Sequence, residues 1–185
     1  MPGLPLGITS TNPKQGAVQW DARRIDGVRF VIPTGAGVTT APIGSVVTLQ
    51  EDSSGKQVIV LGAAAYTGPG SDTYAIIALG FLEAATQVES TINQTIGQYA
   101  DGDYVCMISD INAVASVPYD TNHKPGVGIS NYITPAGLLS NSASSNVAFP
   151  GTVWYGTPGV QNSGQLKTGY AYARLSAVKR SEDVV

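Results

Sequence analysis

The chain has 185 residues, 22 of them glycine and 11 proline, with apolar residues at 43% and charged ones at only 12%. That apolar fraction supports a sizeable core and excludes wholesale disorder. The low charge and the surplus of turn formers argue against a helical bundle, whose surface would be rich in Glu, Lys and Arg. A net charge of −3 excludes a general polyanion binder.

No run of about 18 apolar residues is present, so no transmembrane span is expected. The segment MPGLPLGITSTNPKQG has neither a basic start nor a continuous apolar stretch, so it does not read as a secretory signal. A single cysteine, Cys106, allows neither an internal disulfide nor a multi-cysteine zinc site, and a single histidine, His123, leaves little for a metal centre or proton relay.

In chain order, residues 1–27 read as an extended arm. Pro2, Pro5 and Pro13 fix φ and lack a donor, while Gly3, Gly7 and Gly16 oppose helix. Such an arm is expected to dock on its own domain or on a neighbouring chain. Residues 28–180 read as a β-rich domain and residues 181–185 as a tail.

Val28, Phe30 and Ile32 alternate onto one face of a first strand. The runs 45–50 and 57–61 are β-branched and flank the turn-forming stretch Glu51-Asp52-Ser53-Ser54-Gly55-Lys56, which predicts a hairpin. Residues 73–81 are apolar on both faces and belong in the middle of a sheet. The turn Asp101-Gly102-Asp103 leads into 104–108, a strand buried on both sides. Short strands are predicted near 112–117, 126–130 and 152–156, and a last one over 169–179, with Ala171, Ala173, Leu175 and Ala177 on one face. Helix is limited to two turns at 82–89 and one at 134–139, with Thr134 as cap before Pro135. The fold expected is all-β, a barrel or sandwich with long loops and little helix.

Charge is uneven along the chain. Residues 1–30 carry +2, residues 51–120 carry −8 and residues 121–180 carry +5. These segments either interleave and cancel locally or give the molecule oppositely charged faces suited to heterologous subunit contacts.

No motif carries catalysis. Gly55-Lys56 lacks the remainder of a phosphate loop, and Gly128-Ile129-Ser130-Asn131-Tyr132 lacks the second glycine of a nucleophile elbow. Asp101, Asp103 and Asp110 read as turn chemistry, since a calcium loop needs more oxygen ligands at fixed spacing. Asn93-Gln94-Thr95 is a formal glycosylation triplet that carries no weight without a secretory signal. His123 reads as a solvated loop residue and Cys106 as a small hydrophobe in a buried strand. Trp154 and Tyr155 read as core from their strand position, and as interface anchors if the fold exposes them. Lys179-Arg180 is the densest basic cluster, too sparse for a nucleic-acid interface.

Three stretches together, Ala78-Leu79-Gly80-Phe81-Leu82-Glu83-Ala84, Tyr99 to Val105 with its Gly102-Asp103-Tyr104-Val105 turn-strand, and the Ala-rich closing strand from Gly169, resemble the capsid decoration (cement) proteins of tailed bacteriophages. The resemblance spans residues 28–180, with long inserts near 85–100 and 130–150 that exceed a minimal domain of that family. It implies a virion protein on the outer capsid surface, commonly a homotrimer, that binds the major capsid protein and itself. No chemical step, cofactor, metal, nucleic acid or membrane is implied. The subunit contacts then expected are Pro2, Leu4, Pro5, Leu6, Ile8, Trp20, Arg23 and Arg24 from the arm and its junction, with Trp154 and Tyr155 from the domain.

Two other classes remain open from the residues alone. Another virion β-protein (a tail-tube, head-fibre or receptor- or carbohydrate-binding subunit) would expose aromatic platforms such as Trp20, Trp154 and Tyr155. A hydrolase would bring two dispersed carboxylates to within about 5–9 Å in one cleft.

Overall fold

A computed structural model describes residues 24–83, 97–109, 113–155 and 168–176. The strands among them are β1 (Arg24–Val31), β2 (Thr40–Pro42), β3 (Val46–Glu51), β4 (Gln57–Leu61), β5 (Ala75–Glu83), β6 (Gln98–Ala100) and β7 (Tyr104–Ile108). There follow β8 (Val114–Pro118), β9 (Tyr132–Ile133), β10 (Leu139–Ser140), β11 (Val147–Ala148), β12 (Gly151–Trp154) and β13 (Tyr170–Leu175). The helical content among the described residues is two single 3-10 turns, Thr34–Ala36 and Pro69–Ser71. The protein is mostly β, as its composition predicts.

Five strands close a barrel in the order β1-β4-β3-β5-β7, with β7 returning to β1. The β1–β4 pair is parallel and the other four are antiparallel. Alternation along each strand sorts its side chains. Phe30, Val47, Leu49, Ile59, Leu61, Leu82, Val105 and Met107 fill one core cluster inside the barrel. Their neighbours Val46, Leu79, Phe81 and Ile108 point the other way, into a second core. That second core lies under the three-stranded sheet β12-β13-β8, which contributes Ala115, Val117, Val153, Ala171, Ala173 and Leu175. Ile133, Leu139 and Phe149, from the small sheet β10-β9-β11 and its neighbourhood, complete it. Barrel strands buried on both sides are why 78–82 and 105–108 read as continuous apolar runs rather than alternating ones.

The predicted hairpin is β3–β4, turned by Asp52, whose Oδ1 accepts from Ser54 N at 2.8 Å, Ser54 Oγ at 2.6 Å and Lys56 N at 3.0 Å. β5 lies between β3 and β7, the central place predicted for it. Gly80 in β5 is a close-approach glycine: a Cβ there would meet Ile108 O at 2.2 Å and Met107 Cε at 2.5 Å.

Several local expectations are corrected. β1 starts at Arg24, inside the segment read as arm, and Ile32 falls beyond its end. Residues 126–130 form a turn rather than a strand. Residues 134–139 form the connection between β9 and β10, not a helical turn; Thr134 Oγ1 accepts from Leu138 N at 3.1 Å within that connection. Leu82 and Glu83 belong to β5, and the remainder of the predicted helix at 82–89 lies outside the described residues. Tyr104, placed in a strand buried on both sides, is 70% exposed.

Candidate functional site

Of the ten expected contact residues, Pro2, Leu4, Pro5, Leu6, Ile8, Trp20 and Arg23 lie outside the described residues. Arg24, Trp154 and Tyr155 are described, and they fall at two separate places.

Arg24 belongs to a charged cluster on the outer wall of the barrel. β7 sets Cys106 opposite Glu83 of β5, and Arg24 of β1 opposite Ile108. Between Ile25 and Val28 the β1–β7 register shifts, and Gly27 takes a left-handed φ of +70°. A bulge of this kind tolerates a glycine where other residues would be strained, and it re-aims Asp26 toward β7. The Cys106 thiol donates to Asp26 Oδ1. Arg24 Nη2 donates to Cys106 Sγ at 3.3 Å, and Arg24 Nε lies 3.1 Å from Glu83 Oε2 and 3.7 Å from Asp26 Oδ2. The Arg24–Glu83 approach is an ion-pair contact lying off the hydrogen-bond direction.

The electrostatics follow from partial burial. Burial pushes the Glu83 carboxyl above its usual range, with Arg24 pulling it back and Asp26 adding to the rise. Burial also pushes the Cys106 thiol up, and the hydrogen bond to Asp26 adds to it. Burial works against the Arg24 charge, but the Cys106 sulfur and the Glu83 and Asp26 carboxylates outweigh it and leave the guanidinium more basic than usual. A thiol raised in this way is a hydrogen-bond donor rather than a nucleophile. The expectation that Cys106 is a small hydrophobe is thus half right: it is 2% exposed, yet it is the polar hub of the cluster. Sequence reasoning missed the cluster because Asp26 and Arg24 stand 80 and 82 residues from Cys106.

The second place is aromatic. Trp154 and Tyr172 are paired across β12–β13 and stack with ring centroids 5.7 Å apart at 25°. Both are half-buried on the face of the sheet turned away from the core, beside exposed Arg174. Burial raises the Tyr172 phenol. Tyr155 packs against the second core at its margin, edge-on to Tyr119 at 6.0 Å, with Lys124 Nζ 4.2 Å above its ring. Its hydroxyl donates to Pro125 O at 2.7 Å, and burial, with Tyr119 adding, pushes its pKa to about 12. Neither Trp154 nor Tyr155 is the fully buried core residue its strand position predicts.

The remaining candidates are structural. Asp103 Oδ2 accepts from Ala100 N at 2.8 Å and closes the turn it was read into, while Asp101 Oδ1 accepts from Ile32 N at 2.9 Å and ties that turn to the end of β1; Asp110 lies outside the described residues. His123 is an exposed loop residue, with Nδ1 2.8 Å from Asp120 Oδ2. Among the described residues no group of three or more His, Cys, Asp or Glu is placed to hold a metal ion, and no helix is long and apolar enough to cross a membrane. Among the described residues, those up to 109 carry seven acidic side chains against three basic ones, and those from 113 on carry Asp120 against Lys124 and Arg174. Comparison with family models, curated proteins and solved structures finds no match to this chain.

Proposed function

We propose that this chain is a structural virion protein, a capsid decoration protein that binds the major capsid protein on the outer surface of a tailed-phage shell. As a homo-oligomer, a trimer by its family resemblance, it bridges neighbouring capsid subunits and stabilises them without a chemical step. The observation that carries the reading is the fixation of Arg24. The residue at which the Pro/Gly-rich segment 1–23 joins the barrel is held by Glu83, Asp26 and Cys106 rather than left on a loose loop. A load passed along that segment would enter the barrel wall at three strands at once. Two further features support it. A doubly cored β scaffold is stiff, and a surface with few long charged side chains has little to desolvate or immobilise on contact. Weak contacts repeated around a shell add by multivalency.

The test is co-sedimentation with capsids assembled from the major capsid protein of the same genome and lacking this chain. Saturable binding is expected, and deletion of residues 1–16 should lower occupancy while circular dichroism and melting stay as in the parent. No binding by the intact chain would overturn the reading.

A second reading, a receptor- or carbohydrate-binding virion subunit, is favoured by the half-buried Trp154–Tyr172 stack beside Arg174. A glycan-array signal abolished by Trp154→Ala would select it over the first.

A further inference from the structure

The β12–β13 register sets four side chains on the face of that sheet turned away from the core. Thr152 stands opposite Arg174, and Trp154 opposite Tyr172. Directly opposed residues of an antiparallel pair share a face, and Arg174 follows Tyr172 on it about 7 Å along β13. Val153 and Ala173, the residues between them, point into the second core. β12 ends its sheet. Trp154 gives one ring face to Tyr172 at 5.7 Å, so its other face is turned past that edge. Both rings are half-buried, while Thr152 and Arg174 are exposed. β13 is paired on both sides, by β12 and by β8, so the four positions are fixed before any ligand arrives and little ordering cost is left to meet.

Charge decides what this patch suits. Among the described residues Arg174 has no ion-pair partner. From residue 113 on, the one acidic side chain described is Asp120, which sits in the loop after β8 against His123 at 2.8 Å. A guanidinium without a counter-charge, beside aromatic rings, fits an anion that also carries a flat apolar face. A single cation matches a single carboxylate, whereas a densely sulfated polymer needs a cluster of basic residues. We propose that Thr152, Trp154, Tyr172 and Arg174 form a subsite for an acidic saccharide. The carboxylate of one uronate- or sialate-type residue accepts from the Arg174 guanidinium, its ring lies on the free face of the Trp154 indole, and Thr152 offers a hydroxyl beside it. The inference deepens the carbohydrate-binding reading above, and rests on it, by naming the class of ligand.

An array carrying matched neutral, carboxylated and sulfated glycans, read with the full chain and its variants, tests it. Signal should be confined to the carboxylated glycans. It should fall about 10-fold or more in Arg174→Gln, as loss of a charge-assisted hydrogen bond does. Arg174→Lys should recover only part of it, since an ammonium lacks the guanidinium fork. Trp154→Ala should abolish the signal; if that variant loses the parent's circular dichroism, Trp154→Leu removes the aromatic face and keeps most of the buried volume. Lys124→Gln, which removes an exposed cation from the loop after β8, should bind as the parent does. A stronger signal on sulfated glycans, or one that falls equally in Lys124→Gln and Arg174→Gln, is general attraction for anions and overturns the proposal. Signal on neutral glycans that Arg174→Gln leaves unchanged sinks the acidic assignment and keeps the carbohydrate-binding reading. No glycan signal at all sinks both and leaves the capsid reading to co-sedimentation.

Discussion

Arg24 Nε lies 3.1 Å from the Glu83 carboxylate, which ties the start of β1 to the end of β5 across β7. Both side chains keep some contact with solvent, at 30% and 22% exposure, so the ion pair itself is worth less than a fully buried one. Truncation costs more than the pair is worth, because it strips Cys106 and Glu83 of a shared partner. Arg24→Ala should destabilise by about 1–2 kcal/mol in urea unfolding. A cycle with Glu83→Ala should return a positive coupling energy; additive single effects would show that the two groups merely lie near each other.

Cys106 gives an independent readout of the same wall. Burial and the hydrogen bond to Asp26 hold its thiol protonated, and the side chain is 2% exposed. Thiol labelling near pH 8 should therefore be limited by opening of the β1–β7 pair, not by the chemistry of the thiol. Arg24→Ala should speed labelling by the factor that its loss of stability predicts. A native thiol that reacts at the rate of a free cysteine would contradict this account.

Close packing sets the third expectation. A methyl group at Gly80 would meet the Ile108 carbonyl at 2.2 Å, and backbone on a paired strand cannot step aside as a side-chain tip can. Gly80→Ala should cost about 3 kcal/mol and lower the melting temperature accordingly. Gly35→Ala is the matched control, since a Cβ there meets nothing within 4 Å. It should be neutral or slightly stabilising.

How far the sequence carried this fold depends on where each residue's partners lie. The β3–β4 hairpin was legible because its turn chemistry is local: Ser54 and Lys56 both donate to the Asp52 carboxylate. β5, β7 and β13 were legible because burial writes itself as apolar runs and as Ala171-Ala173-Leu175 alternation. The 126–130 stretch misled for a physical reason. Val127 and Ile129 alternate as a strand would, but Asn131 captures the Gly126 backbone and closes a turn instead. Thr134 before Pro135 carries a helix-cap signal, and its hydroxyl does cap a backbone N–H, that of Leu138, within a β connection. The charged cluster at the Arg24 junction was illegible beyond Arg24 itself. It is assembled by barrel closure from β1, β5 and β7, and no local pattern announces a register shift at Asp26-Gly27. The turn at 126–130 was hidden in the same way, because Asn131, which closes it, looks like an ordinary loop asparagine.

The Tyr155 hydroxyl holds Pro125 O at the base of the 126–130 turn, and its protonation links that loop to alkaline pH. Burial, with Tyr119 adding, raises its pKa from 10 to about 12. Between those values the unfolded chain has lost the phenolic proton and the folded one keeps it, so fewer protons are bound in the unfolded state and stability falls as pH rises. Below about pH 10 both states are protonated and this group adds no slope. A spectrophotometric titration should show one fewer late-ionising phenol in Tyr155→Phe than in the parent, where burial raises Tyr172 as well. The variant should also lose about 1 kcal/mol near neutral pH, the usual worth of one hydrogen bond, and show a shallower decline above pH 10. If burial does not raise the Tyr155 pKa in the folded chain, the two proteins will decline in parallel. If it anchors the loop at Pro125, amide exchange at Val127 will quicken in the variant while exchange in the barrel strands stays unchanged.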